Sequence, residues 1–327
     1  VLDGTSIGIP AADTSNIENL EIRTVATETT NGTDLVAVDA SNFSGLTTFT
    51  NDRSTGTIDV NNLPTGATYV HKGNGTVTMG DTTTVDYKTT TDAVNITFDG
   101  GVVAGAASDI TNSGSATTAT IKSTGAANKI DVVALASGNN TVTSLTIDAT
   151  TAVSFGAGNS GDQAAITGMA ADSTITIKGA GAVDLETVDA DVDVIDASGN
   201  SGGIQVTLSS NTDTVTTGSS GNDKITSGAT FTSSTKGSID AGAGTDTLIV
   251  GTNVGHINNA TEAGKYTNFE TLSVNGTLDV SHIGSQITSI ILSGATNSIT
   301  KLNATQAAAI TTTADIGATT IALTDGS

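Results

Sequence analysis

Apolar residues recur at every second position in short runs along this chain, and clusters of glycine, serine, asparagine and threonine interrupt them. Residues 56–60 read Gly-Thr-Ile-Asp-Val and residues 94–98 read Val-Asn-Ile-Thr-Phe; 66–70, 75–79, 173–177, 203–208 and 287–292 repeat the alternation. A period of two sends successive side chains to opposite faces, so each run predicts a half-buried strand. Strands of about five residues joined by small-residue corners fit an all-β chain wound as a parallel β-helix or β-roll solenoid. A β-sandwich uses the same alternation and is the alternative fold. Helix is expected to be minor: residues 305–310, with Thr305 as a cap, and a weaker pattern over 164–171.

Two short elements recur. Leu35-Val-Ala-Val-Asp39-Ala-Ser41, Leu145-Thr-Ile-Asp148-Ala-Thr150, Val192-Asp-Val-Ile-Asp196-Ala-Ser198 and Leu278-Asp-Val-Ser281 carry aliphatics and aspartate into small residues. Asn16-Ile-Glu18-Asn-Leu20 and Asn268-Phe-Glu270-Thr-Leu272 share a second pattern, echoed at Asp184-Leu-Glu186-Thr-Val188. One such rung cannot bury its own apolar face, so the rungs must stack.

Composition narrows the picture. Threonine makes up roughly a fifth of the 327 residues, with 38 glycines and two prolines, and Thr, Val and Ile favour strands. Cysteine is absent, which excludes disulfides and thiolate metal sites. The 33 acidic residues against 11 basic ones give a net charge of −22, a surface that repels nucleic acid and anionic membrane and attracts cations. No apolar run reaches the length of about 18 residues that a membrane-spanning helix needs. The chain opens on Val1 without a basic-then-apolar leader, and we expect it to be part of a larger precursor whose export signal lies outside it.

The most informative chemistry lies in Gly218-Ser-Ser-Gly221-Asn-Asp223-Lys-Ile225 and Ala241-Gly242-Ala-Gly244-Thr-Asp246-Thr-Leu248. Both follow the calcium-binding nonapeptide G-G-x-G-x-D-x-U-x, in which U is a large aliphatic residue. Its glycines permit a tight turn with exposed carbonyls, and its aspartate supplies a hard oxygen ligand. Ser219 and Ala241 each replace one pattern glycine. Turns that share an ion lie two repeats, about 18 residues, apart. Asp223 and Asp246 are 23 apart (246 − 223), so extra residues are expected to loop out over 227–236. The competing reading is a pair of ordinary turns whose aspartates accept backbone hydrogen bonds. Calcium sites of this kind need extracellular calcium levels, which predicts a location outside the cell.

A family likeness rests on these residues. Asp196-Ala-Ser-Gly199, Gly202-Gly-Ile-Gln-Val-Thr-Leu208 and Gly218-Ser-Ser-Gly221-Asn-Asp223 form one block, and residues 239–250 with Asn268-Phe-Glu270-Thr-Leu272 form another. Together they resemble the surface-layer (S-layer) proteins of Gram-negative bacteria that leave the cell by type I secretion and carry RTX calcium motifs. The likeness covers about residues 184–275 and is compositional elsewhere; calcium-dependent adhesins share the same block. It implies β-solenoid segments with RTX-like calcium turns, Ca²⁺ as the bound ion, self-assembly into a lattice and anchoring to cell-surface polysaccharide. It also implies side-chain ligands at Asp223 and Asp246, carbonyl ligands at Gly218, Ser220, Gly242 and Gly244, and loop positions at Asn222 and Thr245. The expected organisation is solenoid rungs over 1–200, an RTX-like calcium segment over 201–250 and further rungs over 251–327.

Residues 184–196 hold six acids in thirteen positions. In an extended strand Asp189, Asp191 and Asp193 would share one side, about 7 Å apart, and Val188, Val192 and Val194 the other. Three such carboxylates repel unless a cation sits among them, so a second calcium site and a solvated acidic face are both open. A glycosidase pair of carboxylates needs a sugar-binding cleft, and the chain has no tryptophan and three tyrosines. The three histidines, His71, His256 and His282, have polar neighbours and no zinc-binding spacing, so they are expected at the surface. No nucleophile elbow or phosphate-binding loop is present. The expectation is a non-enzymatic, extracellular S-layer protein that assembles with itself in the presence of calcium. A secreted adhesin and a sheath or filament protein are the alternatives.

Overall fold

The computed structural model describes residues 7–8, 14–25, 35–78, 83–87, 93–105, 110–112, 114–136, 138–156, 164–208, 215–227, 237–252, 254–283, 286–294, 296–313, 317 and 319–323. Its contacts divide the chain into two units, Val1–Val192 and Asp193–Ser327. Each is a β-solenoid of short strands stacked in parallel. Every strand pairing among the described residues is parallel, which rules out the sandwich, a fold of antiparallel sheets.

In the first unit the longest face runs through Asn19–Ile22, Thr48–Asp52, Thr68–Lys72, Ala93–Asp99, Thr118–Thr124, Val142–Ala149 and Met169–Gly179. A second face joins Leu35–Asp39, Thr57–Leu63, Thr83–Tyr87, Ile110–Thr111, Val133–Ala134 and Ile166–Thr167. The interior is a set of side-chain columns. Phe49, Tyr69, Ile96, Ile121, Ile147 and Ile177 lie in register on successive coils, and all are buried. The Phe49 and Tyr69 rings stack with centroids 6.1 Å apart. The alternation read from the sequence produces this column directly, because every second residue faces the lumen.

The second unit has the same design. Ile204–Thr207, Lys224–Thr226, Thr247–Gly251, Thr271–Val274, Ser289–Leu292 and Ile310–Thr312 form one face. Its buried column runs Val206, Ile225, Leu248, Leu272 and Ile290. Thr277–Asp279, Asn297–Leu302 and Thr319–Leu323 form a further face. Coil length varies: Leu272 pairs with Ile290 eighteen residues on (290 − 272), whereas Ile147 pairs with Ile177 thirty residues on (177 − 147).

The recurring sequence elements are corners. In Asp39-Ala-Ser41, Asp196-Ala-Ser198 and Asp279-Val-Ser281 the aspartate Oδ1 accepts from both the backbone N–H and the hydroxyl of the serine two residues later. At Asp39 and Asp279 this local turn ends the strand and caps a short 3₁₀ helix, Ala40–Asn42 and Val280–His282, whereas at Asp196 the strand runs on to Asn200. In the second element Asn16 and Asn268 both adopt left-handed backbone, φ 66° and 59°, a conformation asparagine tolerates. Two residues later the carbonyls of Glu18 and Glu270 each accept two successive N–H groups from the next coil.

Helix content is small, with two corrections. Residues 304–308 form a helix, Ala304–Ala308, but its cap is Asn303, in a capping box with Gln306, rather than Thr305. The pattern over 164–171 is not helical: it holds Ile166–Thr167 and the start of Met169–Gly179, where stacking on the preceding coil overrides alanine's helix preference. Residues 75–79 form no strand over their described part, only a bridge from Thr78 to Val103. No described helix is long and apolar enough to cross a membrane.

Candidate functional site

The two nonapeptide-like runs occupy adjacent coils of the second unit. Lys224–Thr226 pairs with Thr247–Ile249 in register, so the 23-residue step is one complete coil. The extra residues expected over 227–236 fall, apart from Ser227, outside the described residues. Asp223 and Asp246 are therefore stacked, as turns of a roll should be, and both are buried.

Their carboxylates are used in a directional way. Asp223 Oδ1 accepts the backbone N–H of Ile204 on the coil before it, at 2.7 Å. Asp246 Oδ1 accepts the N–H of Asp223 at 2.7 Å, and Glu270 Oε2 accepts the N–H of Asp246 at 2.8 Å. Three acidic side chains, one per coil, thus each hold the backbone of the coil before. Glu270 lies outside the nonapeptide pattern. Its signal was the Asn-x-Glu element, whose asparagine turns the chain so that the glutamate falls in this stack.

Ser219 explains one departure from the nonapeptide. Its N–H donates to Asp223 Oδ2 at 2.6 Å and its hydroxyl to Oδ1 at 2.7 Å, while Gly221 N–H donates to that hydroxyl. A glycine could supply only the first of these bonds. The serine therefore occupies lone pairs of Asp223 that a metal would otherwise use.

The glycines are required by close approach. A Cβ at Gly218 would overlap the carbonyl of Ala241, and one at Gly244, where φ is 149°, would overlap the carbonyl of Gly221. Gly242, at φ 88°, packs likewise against the Ser219 carbonyl, which accepts from Ala243 N–H. Thr245 N–H donates to Asn222 Oδ1, and Ser220 N–H to the Asn200 carbonyl. Gly218, Ser220, Asn222, Gly242, Gly244 and Thr245 are thus all brought to these stacked turns, with backbone packed on backbone between coils.

Electrostatics single out Asp246. Its Oδ2 is buried and has no hydrogen-bond partner. Burial first, and then the charges of Asp223, Glu270 and Asp240, push its pKa up to about 6, against the stabilising Asp223 N–H. Burial also raises Asp223, opposed by its Ser219 and Ile204 donors. Coils lie about 4.8 Å apart, and two carboxylates near 5 Å repel by roughly 3 kcal/mol at an effective dielectric of about 20. A buried anion in that position favours a proton or a cation.

No family model, curated protein or solved structure matches the chain. Asp246 has a buried oxygen without a partner that could ligate a calcium ion. Asp223 has less to offer one, since three donors already occupy most of its lone pairs. Among the described residues no three His, Cys, Asp or Glu side chains gather as a metal-holding cluster.

The second acidic run is built differently from the extended strand expected. Asp189–Asp191 lies in a turn, in which Asp191 N–H donates to Asp189 Oδ1 at 3.1 Å, and the strand begins at Val192. Asp191 Oδ2 accepts from Asn140 Nδ2. The side alternation fails as well: Ile195, not Val194, is buried after Val192. Asp193 belongs to the second unit.

Histidine placement also needs correction. His71 is buried at an inward position of Thr68–Lys72, its Nδ1 3.2 Å from the Tyr69 hydroxyl, which accepts from Asn51 Nδ2. Burial lowers its pKa to about 4. His282 is partly exposed beside Asp279, and the His256 side chain lies outside the described residues.

Proposed function

We propose that this chain is a structural protein of a bacterial surface layer, a β-solenoid that takes up calcium outside the cell and assembles with copies of itself. The observation that carries this reading is the carboxylate stack of the second unit. At its centre is Asp246, a buried anion with an unsatisfied oxygen, in a chain of net charge −22. A divalent ion there would relieve repulsion along the stack and tie adjacent coils together. A site with Kd near about 10⁻⁴ M in about 1 mM calcium adds roughly 1.4 kcal/mol, a sizeable part of a marginal fold's stability.

Self-assembly and attachment to polysaccharide both rest on the family resemblance.

Calcium titration of the chelator-treated chain, followed by circular dichroism and light scattering together, tests the proposal. Strand signal and particle size rising together with calcium and reversing with chelator would support it. A folded monomer indifferent to calcium would refute it.

A further inference from the structure

The nonapeptide pattern pairs Asp223 with Asp246, yet the structure treats these two carboxylates differently. Asp223 accepts from Ile204 N–H, Ser219 N–H and the Ser219 hydroxyl. Asp246 accepts from one donor, Asp223 N–H, through Oδ1, and its Oδ2 is buried without a partner. On the following coil Glu270 reaches Asp246, its Oε2 accepting the Asp246 N–H at 2.8 Å. Glu270 is only partly buried, so its carboxylate can meet an ion arriving from solvent.

We infer that the divalent cation of this stack is held one coil beyond the position implied by the nonapeptide spacing, by Asp246 together with Glu270, and that Asp223 is a hydrogen-bond acceptor rather than a ligand. This rests on the calcium reading above. The chemistry is that of hard oxygen donors. Asp246 provides a desolvated carboxylate oxygen with nothing else to bind, and Glu270 a second carboxylate at the solvent side. Ser219 is the reason for the shift, because its hydroxyl and N–H take up the oxygens of Asp223. The Asn-x-Glu element replaces a third nonapeptide: left-handed Asn268 sets Glu270 where a further aspartate would stand.

Calorimetric titration of the full chain with calcium chloride tests this, using wild type and the variants Glu270→Gln, Asp246→Asn and Asp223→Asn, with the thermal midpoint measured alongside. Glu270→Gln is expected to weaken calcium binding about tenfold or more, as loss of a charged ligand does. Asp246→Asn should abolish binding, while Asp223→Asn should keep it despite a lower midpoint in chelator. Glu270 is partly exposed, so its variant remains informative if a buried one fails to fold. Wild-type affinity in Glu270→Gln, or loss of binding in a folded Asp223→Asn, would overturn this assignment and leave the calcium reading intact. Absence of any wild-type binding up to about 10 mM calcium, beyond the range of extracellular sites, would overturn both.

Discussion

Two corners of this protein solve the same problem with different chemistry. In the first unit the corner that follows Thr118–Thr124, stacked on the corner that follows Ala93–Asp99, is held by Asn128. Its Oδ1 accepts from Gly101 and Val102 N–H, and its Nδ2, with two hydrogens to donate, lies within hydrogen-bond distance of the Phe98, Thr124 and Ala126 carbonyls and the Ser123 hydroxyl. It is buried, neutral and satisfied at both ends. In the second unit the corresponding work falls to Asp223, Asp246 and Glu270, which only accept and carry charge. A corner needs an acceptor for turn N–H groups, and an amide supplies one without a charge to compensate. A stack of carboxylates adds repulsion that a cation or a proton can relieve. The difference separates a corner that is complete by itself from one whose stability depends on the solution.

The largest effect should come from imposing the second chemistry on the first. Asn128→Asp sets a carboxylate oxygen against three carbonyls and should cost about 4 kcal/mol or more at neutral pH, read by urea denaturation. Gly218→Ala breaks the second corner through packing. Its methyl would overlap the Ala241 carbonyl, and we expect a loss of about 3 kcal/mol by the same measurement.

Acid should move the two units in opposite directions. His71 is lowered from 6.5 to about 4, so its contribution is fully present above pH 6.5 and is lost as pH falls through 4, a change of up to about 3 kcal/mol. Asp246 is raised from 3.8 to about 6. In chelator its contribution is present below pH 3.8 and is lost as pH rises through 6, by at most about 3 kcal/mol before solvent screening. Hydrogen exchange resolved by peptide between pH 4 and 6.5 should show protection falling around residue 71 and rising around residue 246 on acidification. Asp246→Asn in chelator removes the charge and keeps an acceptor for Asp223 N–H, so a gain of about 1 kcal/mol is expected in its thermal midpoint. Smallest is Lys301→Ala, which removes an exposed partner 2.7 Å from Asp279 and should change urea stability by about 0.5 kcal/mol.

Much of the fold was legible because the solenoid reads alternation directly. The Ile96, Ile121, Ile147 and Ile177 column is the period-two pattern stacked on itself, and the Asp-x-Ser corners are local enough to survive any context. Coil length was not legible, since loops between corners range freely while the strands stay in register. That is why a 23-residue step looked like a departure and proved to be one coil. The surface expected for His71 fails because polar Lys72 beside it alternates onto the other face, while its partner, Tyr69, lies two residues away on its own. For the site, the glycines and both aspartates were legible. Glu270 was visible only as a repeat, since its role comes from a coil 24 residues on (270 − 246). The effect of Ser219 on Asp223 is a matter of hydrogen-bond occupancy, which a motif pattern does not encode.

The most direct test of the contrast is hydrogen exchange of the full chain at neutral pH, with calcium and with chelator, comparing peptides over residues 98–130 and 218–250. Calcium is expected to strengthen protection over 218–250, at the N–H groups of Asp223 and Asp246 above all, and to leave the Asn128 corner unchanged. Equal protection in both conditions, or the same gain in both segments, would contradict the contrast.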